Sequence, residues 1–438
     1  MRSPLGALAD MLAFKRDAAA FFRAHDPYAT GDLELDLGLR RVRVISDARV
    51  AREVLTHPAF ERGARPYGPL GTFAGQGSLR WLIGPTLPTL DGDAGAERRA
   101  RVRPMYVEVA RALRQTPLPE LDWSGVSPGP LDLHALVSAS VFELVCVAMF
   151  GRAYPEMAYE ITRTIDSATD ALDLTSKSLR PYAVRFGAPA RAIRSSRAAL
   201  RAFAGRVLDD LGALTDRSGV PMRGVLGPGW TREDAIDETV TTLVAGLETT
   251  TITCCWCITE LLRQPEIMND LNMMNDTREA RIDRVIKETL RLYPAFWTMV
   301  RVAREDVTLE ECGARFGAGD VLFVSPLFVH RNPAYWPDPE RFDPSRHVDR
   351  ERVEIGDYMP FGFGARACIG AQLSTLIARR VVEAACALGP MRFVEGEPDG
   401  PDPDPKIIVL KSRTGFHVEV GAEGGLEPIG GERERVLG

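Results

Sequence analysis

The chain has 438 residues, a formal net charge of -6 at pH 7 and an isoelectric point near 5.7. This mildly acidic balance gives no reason to expect nucleic acid as a partner. No uninterrupted apolar run reaches the length of a membrane span, about 18 residues, and the start of the chain lacks a signal-peptide core. We therefore expect a soluble, cytoplasmic protein with no membrane partner. Seven cysteines without a framework spacing are typical of a reducing compartment.

The predicted elements are mostly helical, and they take the following order along the chain. A strand covers residues 39–45, and a helix begins after Asp47 and ends before His57. Apolar stripes predict helices at 131–150 and 190–214, short strands at 307–324, and a terminal hairpin from 406–410 and 416–420. With no linker or repeat in between, the pattern predicts one domain over residues 1–420 and a polar tail over 421–438.

A long helix is predicted from an N-cap at Thr231, with Asp234 as its capping-box partner, to about Arg263. Its middle turn contains, in chain order, Ala245, Gly246, Glu248 and Thr249. A glycine in mid-helix costs about 1 kcal/mol relative to alanine, and a threonine can bond back to a carbonyl one turn earlier and bend the helix. The turn is therefore a candidate functional site. Three cysteines follow at 254, 255 and 257, where their spacing favours packing over metal binding.

Two charged motifs follow the long helix. Glu288 and Arg291 are three residues apart, which places them on one helix face. Further on, Arg341 lies in a Pro-Glu-Arg-Phe segment. By itself, either motif is typical of solvated surface charges.

One cysteine, Cys368, lies in a glycine-rich loop framed by aromatic residues, between Phe361 and Gly370. A thiolate needs hydrogen-bond donors or positive partners, and the backbone N–H groups of small residues can approach the sulfur where a side chain could not fit. The pattern indicates an iron ligand, although a buried, inert cysteine is the ordinary interpretation of a lone Cys.

The loop resembles the haem-binding signature of the cytochrome P450 family, Phe-x-x-Gly-x-Arg-x-Cys-x-Gly, with every fixed position filled. The resemblance extends from about Arg41 to Val420 and includes the motifs above. It implies a mainly α fold with a small β region, and haem b (iron protoporphyrin IX) with Cys368 as the axial ligand. It also implies that Glu248 and Thr249 deliver protons to dioxygen, and that Arg341 completes a buried charge triad with Glu288 and Arg291.

The resemblance further assigns residues around the haem. The implied contacts are Ala245, Gly246, Phe361, Gly362, Ile369 and Gly370, with Arg99, Arg301 and Arg366 toward the propionates. In the segment that begins at Asp91, the family's histidine position is occupied by Gly95, so one propionate contact is expected to be missing. The implied substrate pocket contains Trp81, Leu243, Leu247, Phe296 and Trp297.

The implied activity is a monooxygenase that inserts one atom of O2 into an apolar small molecule, such as a terpenoid or aromatic secondary-metabolite intermediate. Because no Gly-x-Gly-x-x-Gly fingerprint for flavin or NAD is present, electrons are expected from a ferredoxin or flavodoxin partner. A peroxide-driven or isomerising haem-thiolate enzyme and a non-catalytic haem sensor are the alternatives. Neither of them needs the Glu248 and Thr249 pair.

Overall fold

The computed structural model describes residues 13, 21, 32–36, 41–61, 76–177, 187–213, 220–271, 278–348, 356–394, 400–405 and 409–421. Helices make up about 59% of the described residues and the sheets are small, which confirms the predicted fold class. The predicted polar tail, from residue 422 onward, lies outside the described residues.

The helices of the described segments are numbered here in chain order. They are α1 (Ala48–Thr56), α2 (Gln76–Ile83), α3 (Gly92–Gln115), α4 (Leu133–Phe150), α5 (Ala158–Lys177), α6 (Ala188–Ala213), α7 (Arg232–Arg263), α8 (Pro265–Asp270), α9 (Arg278–Leu292), α10 (Pro326–Val329) and α11 (Ala371–Ala387).

The strands form one larger sheet and three small ones. They are β1 (Asp32–Asp36), β2 (Arg41–Ile45), β3 (Phe60–Glu61), β4 (Gly129–Asp132), β5 (Met299–Ala303), β6 (Val307–Thr308), β7 (Arg315–Phe316), β8 (Val321–Val324), β9 (Met391–Phe393), β10 (Pro403–Pro405), β11 (Leu410–Ser412) and β12 (His417–Val420). The larger sheet has the order β1-β2-β8-β5-β3, in which only β2 and β8 pair in parallel. The small sheets are β4-β12-β9, β10-β11 and β6-β7.

Helix α7 forms the axis of the helical body. Its predicted start is confirmed, because the Thr231 hydroxyl accepts from the N–H of Asp234 and the Asp234 carboxylate accepts from Thr231. Most of its residues are buried, and α4, α6, α9 and α11 all pack against it. Helix α4 is long and apolar enough to cross a membrane by length and composition alone, but about two thirds of it is buried inside the protein. Its apolar surface is therefore explained by core packing.

The predicted terminal hairpin is wrong. β12 lies between β4 and β9, while β11 pairs with β10. Proline at both ends of β10 is compatible with a strand that has a single neighbour, because such a strand leaves one edge without ladder hydrogen bonds.

A buried ion pair joins Glu288 and Arg291 on α9. Both side chains are fully buried, and the guanidinium donates to the carboxylate from Nε at 2.9 Å and from Nη2 at 2.8 Å. Burial alone would raise the pKa of Glu288, but hydrogen bonds from His347 and Arg291 outweigh it and hold the pKa below its usual range. The N–H of Asp343 donates to the same carboxylate at 2.9 Å. The ion pair thus joins α9 to the segment that follows α10.

The third charged side chain in this cluster is not Arg341. The Arg341 side chain is exposed, and only its backbone carbonyl takes part, as an acceptor from Arg291 Nη2 at 2.9 Å. Instead, the His347 ring lies 2.9 Å and Arg346 Nε lies 3.5 Å from Glu288 oxygens. The expectation for Arg341 was wrong because its side chain lies at the surface, while Phe342 packs into the core and the short helix Pro344–His347 brings Arg346 and His347 to Glu288.

His330 connects the ion pair to the cysteine loop. Arg291 Nη1 donates to the His330 carbonyl at 2.9 Å, and the His330 Nδ1 lies 3.1 Å from the Arg291 carbonyl. The His330 Nε2 accepts the N–H of Met359 at 2.8 Å, which leaves the ring proton on Nδ1. Burial lowers the pKa of His330 to about 3, so the ring is neutral in this role. Met359 in turn accepts from the N–H of Gly362 at 2.9 Å, inside the loop that contains Cys368.

We predict different effects for the two arginines. Arg291→Ala leaves the Glu288 charge buried and uncompensated, which typically costs about 3 to 5 kcal/mol. Arg341→Ala removes only an exposed side chain and should change stability by less than about 0.5 kcal/mol. Soluble yield and denaturant unfolding of both variants test this. Equal destabilisation by the two substitutions would contradict the assignment of the cluster.

Candidate functional site

A cavity of about 440 Å³ lies between α7 and the cysteine loop, with apolar side chains over most of its wall. It brings together most of the residues that the sequence singled out. Its lining includes Arg99, Ala245, Gly246, Glu248, Thr249, Phe296, Trp297, Arg301, Phe361, Gly362, Arg366, Cys368, Ile369 and Gly370.

The cysteine loop is shaped by glycines with positive φ. Gly362 has φ 74° and Gly364 has φ 69°, and a Cβ on Gly364 would lie 2.7 Å from the Thr56 side chain of α1. Inside the loop, the N–H of Cys368 donates to the carbonyl of Phe361 at 2.7 Å. This closed turn presents the thiol to the cavity, directly before the N-terminus of α11.

The thiol of Cys368 is accessible from the cavity, although the residue is enclosed by the protein. Burial raises the pKa of Cys368, while the N–H groups of Gly370 and Ala371 and the charge of Arg99 act in the opposite direction. These donors, together with the start of a 17-residue helix, favour a thiolate when a cation lies against the sulfur. The sequence indicated N–H donors from small residues near the cysteine, and Gly370 and Ala371 are small residues that provide them.

The face of α7 across the cavity has little side-chain bulk. Ala245 and Gly246 are accessible from the cavity, and a Cβ on Gly246 would meet only the Val145 side chain, at 3.7 Å. The Thr249 hydroxyl donates to the carbonyl of Ala245 at 2.8 Å, which is the bond to the preceding turn that the sequence suggested. Thr250 instead contacts Ser374 of α11 at 3.0 Å, in a packing role.

Glu248 is almost fully buried at the cavity wall. The Lys411 ammonium of β11 lies 2.7 Å from its Oε1. Burial alone would lower the pKa of Lys411, but Glu248 and Asp170 raise it above its usual value, so the ammonium stays charged. The ion pair holds the Glu248 carboxylate at the cavity wall, one residue from Thr249. Sequence reasoning missed Lys411 because β11 is remote in the chain.

The three predicted arginines lie in the cavity wall and make different contacts. Arg99 Nη2 donates to the carbonyl of Ala367 at 2.8 Å, so α3 is tied to the cysteine loop. Arg366 Nη1 lies 2.8 Å from Asp91, the N-cap residue of α3. Arg301 of β5 is 5% exposed and donates to the carbonyl of Val300 at 2.9 Å.

Three residues expected in the substrate pocket are not in the cavity lining. Leu243 and Leu247 are each two positions from Ala245, about 200° around the helix, and both pack into the core. Trp81 on α2 is 39% exposed and also lies outside the lining. Sequence reasoning missed several lining residues. Those on α7 lie on the same helix face as Ala245, at successive steps of three or four residues, so this spacing could have found them. They include Tyr106, Thr169, Asp173, Glu238, Thr241, Thr242, Thr253 and Val409.

This donor set fits a haem. An accessible thiol with N–H donors directed at it suits a ferric or ferrous ion. Guanidinium groups in the wall suit the carboxylates of a porphyrin edge. Across the cavity from Cys368, the turn of α7 at Ala245 and Gly246 is accessible and adds little side-chain bulk.

The comparisons with known proteins agree with this geometry. A family model described as Cytochrome P450 matches residues 227–383, which contain α7, the Glu288–Arg291 pair and the cysteine loop. The chain is 27% identical to cyclooctat-9-en-7-ol 5-monooxygenase from Streptomyces melanosporofaciens over 413 residues, 84% of each chain. It is also 27% identical to cyclooctatin synthase of the same organism over 411 residues, 86% of each chain. The chain belongs to the cytochrome P450 family.

Solved structures share the fold of this cytochrome P450. CYP175A1 from Thermus thermophilus matches with a TM-score of 0.69 and 22% identity, over 94% of this chain and 97% of that one. The haem domain of cytochrome P450DA matches with a TM-score of 0.70 and 18% identity, over 92% of each chain. At these identities the likeness concerns the fold. Family membership and the named monooxygenase relatives show that the chain is a cytochrome P450 monooxygenase, and the family implies haem.

The three cysteines of α7 pack in the core of this cytochrome P450, as expected. Cys254, Cys255 and Cys257 are fully buried, and burial raises the pKa of the Cys257 thiol to about 12. Buried thiols of this kind are poor nucleophiles and poor metal ligands at neutral pH.

The structure gives a physical reason for Gly95, where the family motif has histidine. Gly95 lies in the first turns of α3, and a Cβ built on it would be 2.8 Å from the backbone carbonyl of Leu90. Real Cβ atoms do not approach a carbonyl oxygen so closely, and a backbone atom cannot swing away as a side chain can. The path of the chain from Leu90 into α3 therefore requires glycine at this position.

We predict that Gly95→Ala destabilises this cytochrome P450 by about 1 to 3 kcal/mol, the usual range for overpacking. The control is Gly205→Ala in the middle of α6, where a Cβ would meet only an Arg232 nitrogen at 3.9 Å. That variant should be neutral or more stable by up to about 1 kcal/mol, because alanine is the better helix former. Denaturant unfolding midpoints measure both. A Gly95→Ala variant as stable as its control would show that the turn before α3 relaxes freely.

Proposed function

We propose that this cytochrome P450 binds haem b with the Cys368 thiolate as the iron ligand, and that it hydroxylates an apolar small molecule. The observation that supports this best is the accessible Cys368 thiol, supplied with N–H donors, in the same cavity as Gly246 and Thr249. The proposed reaction consumes one O2, two electrons and two protons. One oxygen atom enters a C–H bond and the other leaves as water. In this proposal, residues 1–420 form one domain and residues 421–438 form a polar tail.

Bound haem would supply the one-electron and dioxygen chemistry, which is favoured by electron donation from a thiolate ligand. The chain supplies the protons and excludes bulk water. The Thr249 hydroxyl faces the cavity and donates its proton to the Ala245 carbonyl. Its oxygen can therefore accept a hydrogen bond from a water molecule and hold that water in the cavity. Glu248 is the adjacent acid, and we assign to it the delivery of protons toward that water. Arg99, Arg301 and Arg366 are assigned to the propionates.

For the substrate, we propose a terpenoid-like skeleton. The cavity wall is largely apolar, with Phe296, Trp297, Val300 and Val409 among its residues. Two similar proteins bear names from cyclooctatin chemistry, and that likeness, at 27% identity, supports secondary metabolism for this chain. The threonines at 169, 241, 242 and 253 add scattered hydroxyl groups, which suits an oxygenated apolar compound better than a pure hydrocarbon.

We propose that the two electrons come from a separate ferredoxin or flavodoxin in the cytoplasm. The sequence contains no nucleotide-binding fingerprint of its own. Helix α3 links the cysteine side of the cavity to the surface, since Arg99 contacts the loop and Arg103 is exposed. Exposed positive charge at this end would attract an acidic partner.

A peroxide-driven or isomerising enzyme, or a haem sensor, is less well supported. Each would require the haem ligand but not an acid with a buried counter-ion beside a cavity-facing hydroxyl. Glu248 with Lys411, and Thr249 with Ala245, therefore favour the use of dioxygen and external electrons.

The iron ligand is tested by Cys368→Ser. The ferrous carbon monoxide complex of the wild type should show the red-shifted Soret band of a thiolate ligand, and the variant should lose it. Cys312→Ser is the control, because Cys312 lies apart from the cavity lining, near Glu53. Retention of the thiolate band in Cys368→Ser would show that another group binds the iron.

The proton roles are tested by Thr249→Ala and Glu248→Gln. Thr249→Ala should still consume O2 and reducing equivalents but release them largely as hydrogen peroxide. Glu248→Gln should slow turnover by about 10²-fold, the loss of one general-acid contribution. Both are measured as NAD(P)H consumed, peroxide released and product formed with a surrogate ferredoxin and reductase.

Thr239→Ala is the control for Thr249→Ala. Thr239 donates to the Ala235 carbonyl at 2.8 Å in the same way, but it lies outside the cavity lining. It should remain coupled. Unchanged coupling in Thr249→Ala together with unchanged turnover in Glu248→Gln would contradict the assigned roles.

A further inference from the structure

Three titratable side chains from three different elements lie around Glu248. A ring nitrogen of His134 (α4), a carboxylate oxygen of Asp166 (α5) and one of Glu248 (α7) all lie within 4.8 Å of one another. The His134 Nε2 is 4.0 Å from Asp166 Oδ1. Lys411 of β11 completes the group at 2.7 Å from Glu248. Separations of about 4 to 5 Å between polar atoms are typical of groups bridged by one water molecule.

Lys411 pairs with Glu248 but is shared with two other acceptors. The ammonium directs its bonds to the Thr169 hydroxyl at 3.2 Å and to the Asp170 carboxylate at 3.4 Å. Glu248 Oε1, although close to the ammonium, is fully buried and has no aligned hydrogen-bond donor among the described residues. A buried carboxylate oxygen in this situation is expected to accept from a water molecule or from a protonated neighbour.

Asp166 is suited to be that neighbour. Burial, with smaller contributions from Glu248 and Asp170, raises the pKa of Asp166 to about 6, against the opposing effects of His134 and Lys411. The carboxyl is therefore partly protonated near neutral pH. The side chains of His134 and Asp166 are 21% and 29% exposed, so this end of the group reaches solvent while Glu248 does not.

The same three residues have the ligand types of a metal site, but the charges argue against one. The Lys411 ammonium already lies against Glu248. This ammonium would repel a divalent cation placed within ligand distance of the same carboxylate. A single exchangeable proton suits the group better.

We propose that Asp166, linked to solvent by His134, returns protons to Glu248 after each delivery to the cavity, and that Lys411 holds the Glu248 side chain in place between deliveries. In this relay, a proton passes from solvent to His134, then to Asp166, and then through one water to Glu248. Asp166 and His134 are positioning and relay residues, since neither lies in the cavity lining. The inference rests on the proposed role of Glu248.

The kinetic test uses the holoenzyme with its surrogate redox pair. Turnover of the wild type should fall as pH rises through about 6, because the protonated form of Asp166 is lost. Asp166→Asn should lower turnover about 10-fold, remove that pH limb and enlarge the solvent deuterium isotope effect. Asp166→Glu should restore part of the rate and a titrating limb. Glu160→Gln, at an exposed carboxylate of the same helix, is the control and should behave as the wild type.

A second measurement is independent of turnover. Difference infrared spectra of the resting enzyme should show a carboxylic acid band that disappears as pH rises through about 6. The band should be absent in Asp166→Asn and present in Glu160→Gln. A band that persists in Asp166→Asn would assign the titrating carboxyl to another residue.

The outcomes separate the two proposals. If Glu248→Gln is slow but Asp166→Asn retains the turnover, pH profile and isotope effect of the wild type, the relay is wrong while the role of Glu248 stands. If the wild type forms no product from O2 and electrons, both proposals fall. Loss of activity with EDTA, together with one equivalent of zinc or another metal beyond the haem iron in the purified protein, would show a metal site and overturn the relay.

Discussion

The structure around the candidate iron ligand depends on one buried ion pair. Glu288 and Arg291 are fully enclosed, and the donors of Arg291 that do not contact Glu288 are used on the backbone carbonyls of His330, Pro339 and Arg341. Through the neutral ring of His330, the same pair fixes Met359 and thereby the loop that presents Cys368. Such a pair is not in itself a large source of stability. It is better understood as a device that specifies how three remote segments meet.

The two buried charge clusters of this cytochrome P450 differ in one respect that suits their roles. Around Glu288, every carboxylate oxygen has an aligned donor, and the cluster is closed to solvent. Around Glu248, the counter-ion is present but one oxygen lacks an aligned donor within the described part of the chain, and the neighbouring side chains reach the surface. A fully satisfied cluster resists change, whereas an incompletely satisfied one can exchange a proton. The first is therefore suited to hold the loop in place and the second to chemistry.

Local motifs in the sequence, and the family resemblance that they carry, predicted the fold class and most of the cavity, because cysteine loops, capping boxes and helix-face pairs depend on residues close together in the chain. The N-cap of α7, the back-bond of Thr249 and the loop of Cys368 were all of this kind. The errors concern contacts between remote segments. Arg341 precedes Arg346 and His347 in one short stretch, and the path of the backbone into the short helix Pro344–His347 decides which of them reaches Glu288. Lys411 and His330 could not be assigned from sequence, because strand pairing and loop packing place them.

Lys411 also constrains the order in which segments of this protein can fold during synthesis. Helix α7 and its Glu248 leave the ribosome long before β11, which is among the last strands described. Domains commonly begin to fold from the N-terminal side as they emerge. Until β11 pairs with β10 and brings its ammonium to the helix, Glu248 has to remain hydrated or protonated, and the core around α7 cannot close over it. The buried carboxylate that the proposed chemistry uses thus makes final closure of the helical body wait until β11 has been synthesised.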